Sequence, residues 1–469
     1  MHIAWPLAAS HGIMLHADIR MNTNQVYTLD IAAPVCTISA DSYAGALHAM
    51  ESFTQLVDLS TADDRAVNAT TVSDAPRYNF RAFLVDTSRH YYPLQYILKH
   101  LDAMAMTKMN VLHWHIVDSQ SFPYVSKAFP ELSAAGAWAP DHVYTPDDVA
   151  KVIEYAKARG IRVMPEFDTP GHVQAGFTAL PGLLTQCYDA TTGKPDGTTG
   201  PLDPTNDAVY DFLTKFYAEV KSVFPDQYVH VGGDEVPFEC WQSNPDITKW
   251  MAAQNMSSYS ELEQYYELKL LDILKAQNSS YMCWQEIFDN GVAILPDTIV
   301  NVWKGAHNAS DWQRELKAVA KAGYRAVLSA PWYLNYISYG QDWQTYYSTE
   351  PEAGSAEDSL FGVEACMWSE YVDGTNFIPR TWPRTAAVAE RAWSAKDVTD
   401  IDDASARLNE LRCKMLGRGI RAEPLFPSYC AEEWTDDHTF ESGEAGELAS
   451  SGGAVAGGRR VRAGSATAA

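Results

Sequence analysis

Tyr228-Val229-His230-Val231-Gly232-Gly233-Asp234-Glu235 reads as a short apolar strand that runs into two glycines and then two adjacent carboxylates. Seven other runs share that form, each a β-branched or aromatic stretch ending in a polar or aromatic cluster. They are Phe80–Asp86, Met109–Asp118, Ile161–Asp168, Tyr281–Glu286, Thr298–Trp303, Arg325–Trp332 and Phe361–Glu370. Helical patterns separate most of them. The clearest starts at Thr145-Pro146-Asp147-Asp148, with a threonine cap, proline in the first turn and an acid three residues on. Val149, Val152, Ile153 and Ala156 then share one face, and Gly160 follows the C-terminal end. Eight strand–helix alternations predict an α/β protein, a (β/α)₈ barrel with its site at the C-terminal strand ends. A doubly wound open sheet fits less well. Asp86-Thr87-Ser88-Arg89-His90 follows the first strand, where that fold would place a glycine-rich phosphate loop.

Outside these runs, residues Val26 to Leu59 predict a small α/β piece with a helix whose apolar positions are 47, 50, 53 and 56. Ser60 to Ala75 is polar and expected to be a loop or edge hairpin. From Ser442 onward the chain is mostly Gly, Ala and Ser with three Arg, which cannot bury a core. The expected division is a shortened N-terminal α/β domain over 1–76, the barrel over 77–435 and a disordered tail over 436–469.

The 469 residues suffice for one large domain and a smaller one, and 46% of them are hydrophobic. No run approaches the ~20 apolar residues of a membrane helix. A formal net charge of −25 argues against nucleic acid or an anionic membrane as partner, since both repel a polyanion. Among 7 cysteines, the pairs Cys187/Cys240 and Cys413/Cys430 are plausible disulfides. Sequons at Asn68, Asn255, Asn278 and Asn308 are expected glycan sites in a secreted chain. Met1 to Arg20 has no clean apolar signal region, so a truncated start is expected.

Strand ends are where chemistry is expected. They carry Arg89; His113, Trp114, His115 and Asp118; Glu166, Asp168 and His172; Asp234 and Glu235; Trp284 and Glu286; Trp303; Trp332, Tyr333 and Asn335; and Trp368 and Glu370. Carboxylates and tryptophans thus converge on one rim. Cleaving a glycosidic bond needs an acid for the leaving oxygen and a group opposite that meets the oxocarbenium-like cation. Past Gly232-Gly233 the chain can turn and present both Asp234 and Glu235, whose repulsion is expected to keep one protonated. His113 and His115, two apart on a strand and near Asp118, leave a metal-dependent barrel hydrolase as a rival reading. Tryptophan walls suit a sugar face better than a metal, and the expectation is no metal and no cofactor.

These motifs resemble those of the family-20 glycoside hydrolases of the eukaryotic lysosomal type. The resemblance rests on Asp86-Thr87-Ser88-Arg89-His90-Tyr91, His113-Trp114-His115, Glu166-Phe167-Asp168-Thr169-Pro170-Gly171-His172, His230-Val231-Gly232-Gly233-Asp234-Glu235, Ala330-Pro331-Trp332-Tyr333-Leu334-Asn335 and Glu364-Ala365-Cys366-Met367-Trp368-Ser369-Glu370. It covers about Val26 to Cys430 and implies a retaining exo-β-N-acetylhexosaminidase that releases terminal β-linked N-acetylglucosamine or N-acetylgalactosamine. In the implied mechanism the substrate's own acetamido oxygen attacks the anomeric carbon. Glu235 would be the general acid and then the base, and Asp234 would hold the acetamido N–H. Tyr333 would bond the acetamido oxygen, and Trp284, Trp303 and Trp368 would wall it. Arg89, Asp118 and Glu370 would bind ring hydroxyls, with His172 and Asn335 at further pocket positions. The resemblance also implies the disulfides Cys187–Cys240 and Cys413–Cys430, a homodimer, and a lysosomal, vacuolar or secreted location. Cys283 and Cys366 read as free, and Cys36 has no obvious partner. One departure is Asp118-Ser119, where close relatives carry two acids. A catalytically silent glycan-binding barrel is the alternative from another class. Four acids (Asp118, Asp234, Glu235, Glu370) are expected to line the pocket against Arg89 and Lys304, which favours a neutral terminal sugar.

Overall fold

All eight expected barrel strands form, and all but the first end short of the C-terminal end of their runs. The computed structural model describes residues 2–4, 19–57, 66–305, 308–352 and 360–431. The expected 436–469 tail therefore lies outside the described residues. A four-stranded sheet comes first, in the order β1 (His2–Ala4), β3 (Val35–Ala40), β2 (Tyr27–Ala32), β4 (Thr70–Asp74). The barrel follows as β5 (Phe80–Asp86), β6 (Val111–Val117), β7 (Arg162–Phe167), β10 (Tyr228–His230), β11 (Ser280–Trp284), β12 (Ile299–Val302), β13 (Arg325–Leu328) and β14 (Leu360–Met367). All neighbours are parallel, and β14 pairs with β5 to close the ring. A hairpin of β8 (Leu184–Tyr188) and β9 (Pro195–Leu202) is inserted between β7 and β10.

Alternation along the strands builds two cores. Phe80, Ala82, Val111, Met164, Tyr228, Met282, Ile299 and Val327 fill the inside of the barrel at its N-terminal end. Phe83, Val85, Leu112, Trp114 and Val163 point outward and pack with the helices. The polar ends of most of the runs leave the ladder, although Asp86 stays in register with His115. Glu286 lies in a short helix, Gln285–Asp289, and Trp332 in a 3₁₀ turn, Ala330–Trp332. Past the rim the backbone keeps only scattered pairings, such as Tyr333 with Cys366, and turns into loops that carry side chains over the barrel mouth.

The helix expected after Thr145 forms as Pro146–Lys157, with Thr145 and Asp148 capping each other reciprocally. The first helix, Tyr43–Leu56, also forms, and Met50 and Phe53 of the expected stripe pack against the small domain's core, but the most deeply buried positions are others. Ala44, Gly45, Ala46, His48 and Ala49 are buried, while Leu56 is exposed. Small residues win there because the backbone approaches closely: a Cβ on Gly45 would come within 2.6 Å of the Val26 carbonyl oxygen. Within the polar 60–75 segment, Thr70–Asp74 is an edge strand paired antiparallel with β2, the edge alternative of the two expected.

Two disulfides are formed. Cys187–Cys240 ties the β8–β9 hairpin to the helix Phe238–Ser243, and Cys413–Cys430 closes the C-terminal segment. Cys36, Cys283 and Cys366 are free thiols. All four sequon asparagines are exposed. Among the described residues, no helix is long and apolar enough to cross a membrane.

Candidate active site

Two turns place the central carboxylates. After β10 the chain passes through Gly232 and Gly233, both at positive φ (72° and 89°). A side chain fits at neither, since a Cβ would meet Asp168 Oδ1 at 1.8 Å from Gly232 and Ile287 Cδ1 at 2.2 Å from Gly233. The Gly233 N–H donates to Asp168 Oδ1 at 2.8 Å, which anchors the turn to β7. Glu235 itself sits in the left-handed region (φ 50°), as does His172 (φ 54°). Non-glycine residues avoid that region unless their surroundings hold them there, and such strain clusters at functional sites.

Asp234 and Glu235 open onto a cleft of about 200 Å³ together with Arg89, Trp284, Trp303, Tyr333, Asn335, Tyr336, Trp368 and Glu370. That is below the ~300–1,000 Å³ of a drug-sized pocket and suits a single sugar ring. Seven of the nine expected substrate-binding residues therefore share one cleft with both carboxylates. The other two, Asp118 and His172, do not line it. Asp118 is buried behind the wall, where its carboxylate takes Arg89 Nη2 at 2.8 Å, His115 Nε2 at 2.9 Å and His172 Nδ1 at 3.1 Å. Burial alone would raise its pKa, but those three cations hold it well below the usual carboxylate range. His172 then faces Asp234 at 3.8 Å and Glu235 Oε2 at 3.7 Å through its other nitrogen. Burial disfavours its charge, yet Asp168, Asp118 and Asp234 outweigh that and lift it to about 10.

Repulsion between carboxylates shows at Asp168, behind the adjacent pair. Asp168 is the carboxyl pushed well up, first by burial and then by Asp234 beside it. Glu235 instead points outward, its side chain 60% exposed.

Aromatic rings close the other side. Trp303 and Tyr333 stack at 6.2 Å and 26°, Trp284 and Trp368 meet at 6.0 Å, and Tyr336 stacks on Tyr333 at 5.7 Å. Tyr336, a wall residue, was missed by the sequence reading. Each indole is fixed. Trp284 Nε1 donates to Glu166 at 2.7 Å, Trp303 Nε1 donates to Glu286 at 2.7 Å, and the Arg89 guanidinium lies over Trp368 at 4.9 Å. Lys304 is absent from the cleft lining, and its ammonium pairs with Glu286 at 3.2 Å and Asp289 at 3.7 Å.

Beneath the cleft the two histidines of the rival metal reading face inward and are paired with carboxylates. His113 Nδ1 lies 2.8 Å from Glu364, and His115 Nδ1 lies 2.6 Å from Glu166. Burial disfavours their charge, but Glu364 and Glu166 lift His113 to about 9, and Glu166 and Asp118 lift His115 to about 10. Two groups among the described residues have ligating atoms within 4.8 Å of one another: His113, Glu166 and His230, and Asp168, His172 and Asp234. Around the first group, the imidazoliums of His113 and His115 already balance the carboxylates of Glu166 and Glu364, while burial pushes His230 below its ordinary value. The geometry thus supplies carboxyl acids and aromatic walls around one sugar-sized space.

Known proteins agree with that chemistry. Residues 78–396 match the model for the glycosyl hydrolase family 20 catalytic domain, and residues 9–56 match a second model described as beta-acetyl hexosaminidase like. The chain is 49% identical over 418 residues to the human beta-hexosaminidase subunit beta, spanning 88% of this chain and 74% of that one. The rat beta-hexosaminidase subunit alpha is 48% identical, with 88% of this chain and 78% of the relative covered. Among solved structures, the Flavobacterium johnsoniae chitobiase superposes with a TM-score of 0.77 at 32% identity, over 86% of this chain and 61% of that longer one. The Vibrio harveyi family-20 exo beta-N-acetylglucosaminidase, solved with N-acetylglucosamine, gives 0.76 at 25% identity, over 86% and 68%. The chain belongs to glycosyl hydrolase family 20. Its activity is that of an exo-β-N-acetylhexosaminidase.

Proposed function

We propose that the cleft removes one terminal β-linked N-acetylhexosamine with retention, using the substrate's acetamido oxygen as nucleophile. Glu235 is the general acid for the leaving oxygen and then the base for water. Its exposure on the cleft rim supports this, because both the aglycone and the incoming water approach from solvent. Asp234, largely shielded, takes the acetamido N–H and stabilises the cationic intermediate. Tyr333 donates to the acetamido oxygen, and Trp284, Trp303 and Trp368 hold the acetamide against the anomeric carbon, where positioning is worth several kcal/mol, on the order of 7. Arg89 and Glu370 bind the ring hydroxyls, and Asn335 borders them. Asp118 and His172 act through Arg89, Asp234 and Glu235 and do not touch sugar.

The observation that carries the reading is the aromatic box on the same small cleft as Asp234 and Glu235. Its test compares aryl N-acetyl-β-glucosaminide with the aryl β-glucoside that lacks the acetamide. Substrate assistance requires the glucoside to be at least about 10³-fold slower in kcat/KM; comparable rates would overturn it.

The chain also reads as a homodimer of the secretory or lysosomal route. Its relatives are named as subunits. Two disulfides and four exposed sequons fit an oxidising, glycosylating compartment. Sedimentation of the purified chain at about twice the monomer mass and a mass loss on N-glycan removal are the expected results.

A further inference from the structure

Three consecutive residues at the end of β11 divide their work. Trp284 is a wall of the cleft, whereas Gln285 and Glu286 turn away from it and grip the segment that follows β12. Gln285 Oε1 accepts the backbone N–H groups of Trp303 (3.0 Å) and Lys304 (2.8 Å). Glu286 Oε2 accepts the Trp303 indole N–H at 2.7 Å, and Oε1 lies 3.2 Å from the Lys304 ammonium. Glu286 is buried and does not line the cleft. Trp303 in turn stacks on Tyr333. An indole held only by stacking can slide and tilt in its own plane; a short bond from a buried carboxylate removes that freedom.

We propose that Glu286 is a positioning residue for the reaction, fixing the Trp303 ring and through it the Trp303–Tyr333 face of the cleft. The proposal rests on the reading of that face as the acetamide's seat. Small errors there matter, because a displacement of ~1 Å at the reacting centre can cost about 10²-fold.

The charge state of Glu286 gives an independent handle. It is faced by Asp234 from the β10 loop, Glu263 from the helix Tyr259–Ala276, Cys283 from β11, Asp289 from its own helix and Lys304 from beyond β12. Burial first, and Asp234 next, raise it to about 7 against the pull of Trp303 and Lys304.

The experiment is a double-mutant cycle in the full-length enzyme with aryl N-acetyl-β-glucosaminide. Glu286→Ala should lower kcat about 10- to 100-fold with KM little changed. In Trp303→Phe, which has no indole N–H to hold, the same change should cost less than about threefold. Glu286→Gln keeps an acceptor oxygen and should recover most of the loss, while its pH profile lacks the inflection near 7 expected of the parent. If Glu286→Ala does not fold, the Gln variant's profile in the parent and Trp303→Phe backgrounds decides. An unchanged inflection, or the full cost of Glu286→Ala in Trp303→Phe, overturns the role. Parent enzyme that hydrolyses aryl glucoside as fast as the N-acetyl compound overturns the functional reading instead.

Discussion

The same residue types, histidine and carboxylate, are assembled twice within about two turns of one barrel, and the two assemblies behave as opposites. Below the cleft, Glu166 collects His113, His115 and His230 from neighbouring strands, with Glu364 beyond His113. All are fully buried, in regular strands. At the rim, His172 faces Asp118, Asp168, Asp234 and Glu235 from strained loops, and Glu235 is open to water. In the core every charge is countered, so the groups are fixed in one ionisation state and serve as scaffold. At the rim carboxylates outnumber cations, and a proton or a positive intermediate supplies what is missing. Reactivity follows from the incomplete compensation, not from the residue types.

The sharpest way to break this contrast is Glu235→Gln. Turnover of substrates with poor leaving groups should fall about 10³-fold or more, and that of activated aryl glycosides much less. Equal losses on both would remove Glu235 from the acid role. Melting temperature should hardly move, since the side chain is exposed.

Asp234→Asn comes next, with kcat expected to fall about 10²- to 10³-fold and KM to change little, because its charge meets a cation present only along the reaction path. A thiazoline mimic of the intermediate should bind the parent far more tightly than N-acetylglucosamine and lose that advantage in the variant. A mimic no tighter than the sugar in the parent would contradict substrate assistance.

Glu166→Gln probes the other assembly. Removing one partner of a buried, compensated set costs about 3–5 kcal/mol, so thermal unfolding should drop by many degrees. The pH dependence has a definite sign. His113 and His115 are raised in the fold to about 9 and 10, so their stabilisation is full below their ordinary 6.5 and drains as pH rises toward those values. Glu166 and Asp118 are depressed, so theirs is present above about 4 and lost as pH falls below. A melting-temperature profile should therefore peak between about pH 5 and 6.5, and the variant should flatten its alkaline side.

Substrate charge is the smallest expected effect. Three acids line the cleft, Asp234, Glu235 and Glu370, against Arg89 alone among the lining residues. Asp118 drops out of the sequence-based count because it is buried, and Lys304 because Glu286 and Asp289 neutralise it. Neutral N-acetylhexosamine should exceed its 6-sulfated form about tenfold in kcat/KM, a difference of ~1.4 kcal/mol. Equal hydrolysis of the two would mean Lys304 leaves its partners for the sulfate.

The barrel and most of the cleft were legible because both depend on local pattern. Apolar runs of strand length mark the staves, and the residues just past each run must lie on one rim whatever the helices do. Glycines at 232 and 233 announced the turn that exposes Asp234 and Glu235, since no other residue fits there. Less visible was which positions of the helix Tyr43–Leu56 bury most deeply, where the larger apolar residues suggested one stripe and close backbone approach sealed the small ones beside it. Tyr336 was unreadable for a related reason, as only the stacking of Tyr333 onto it makes it a wall.

By itself the chain's order of residues determined the eight staves, the acid pair at the fourth and the aromatic residues at the fifth to eighth, because period and position along a strand are local quantities. What only the tertiary structure decided is which of those groups meet. Asp118 looks like a sugar ligand in sequence and is sealed behind Arg89 and His172; Asp168 looks like one more strand-end acid and is the carboxyl that burial and Asp234 push up. Glu286 sits two residues from Trp284 yet serves Trp303, just past the next strand. Burial and charge compensation are sums over neighbours brought together from all around the barrel, and no window of sequence contains those neighbours.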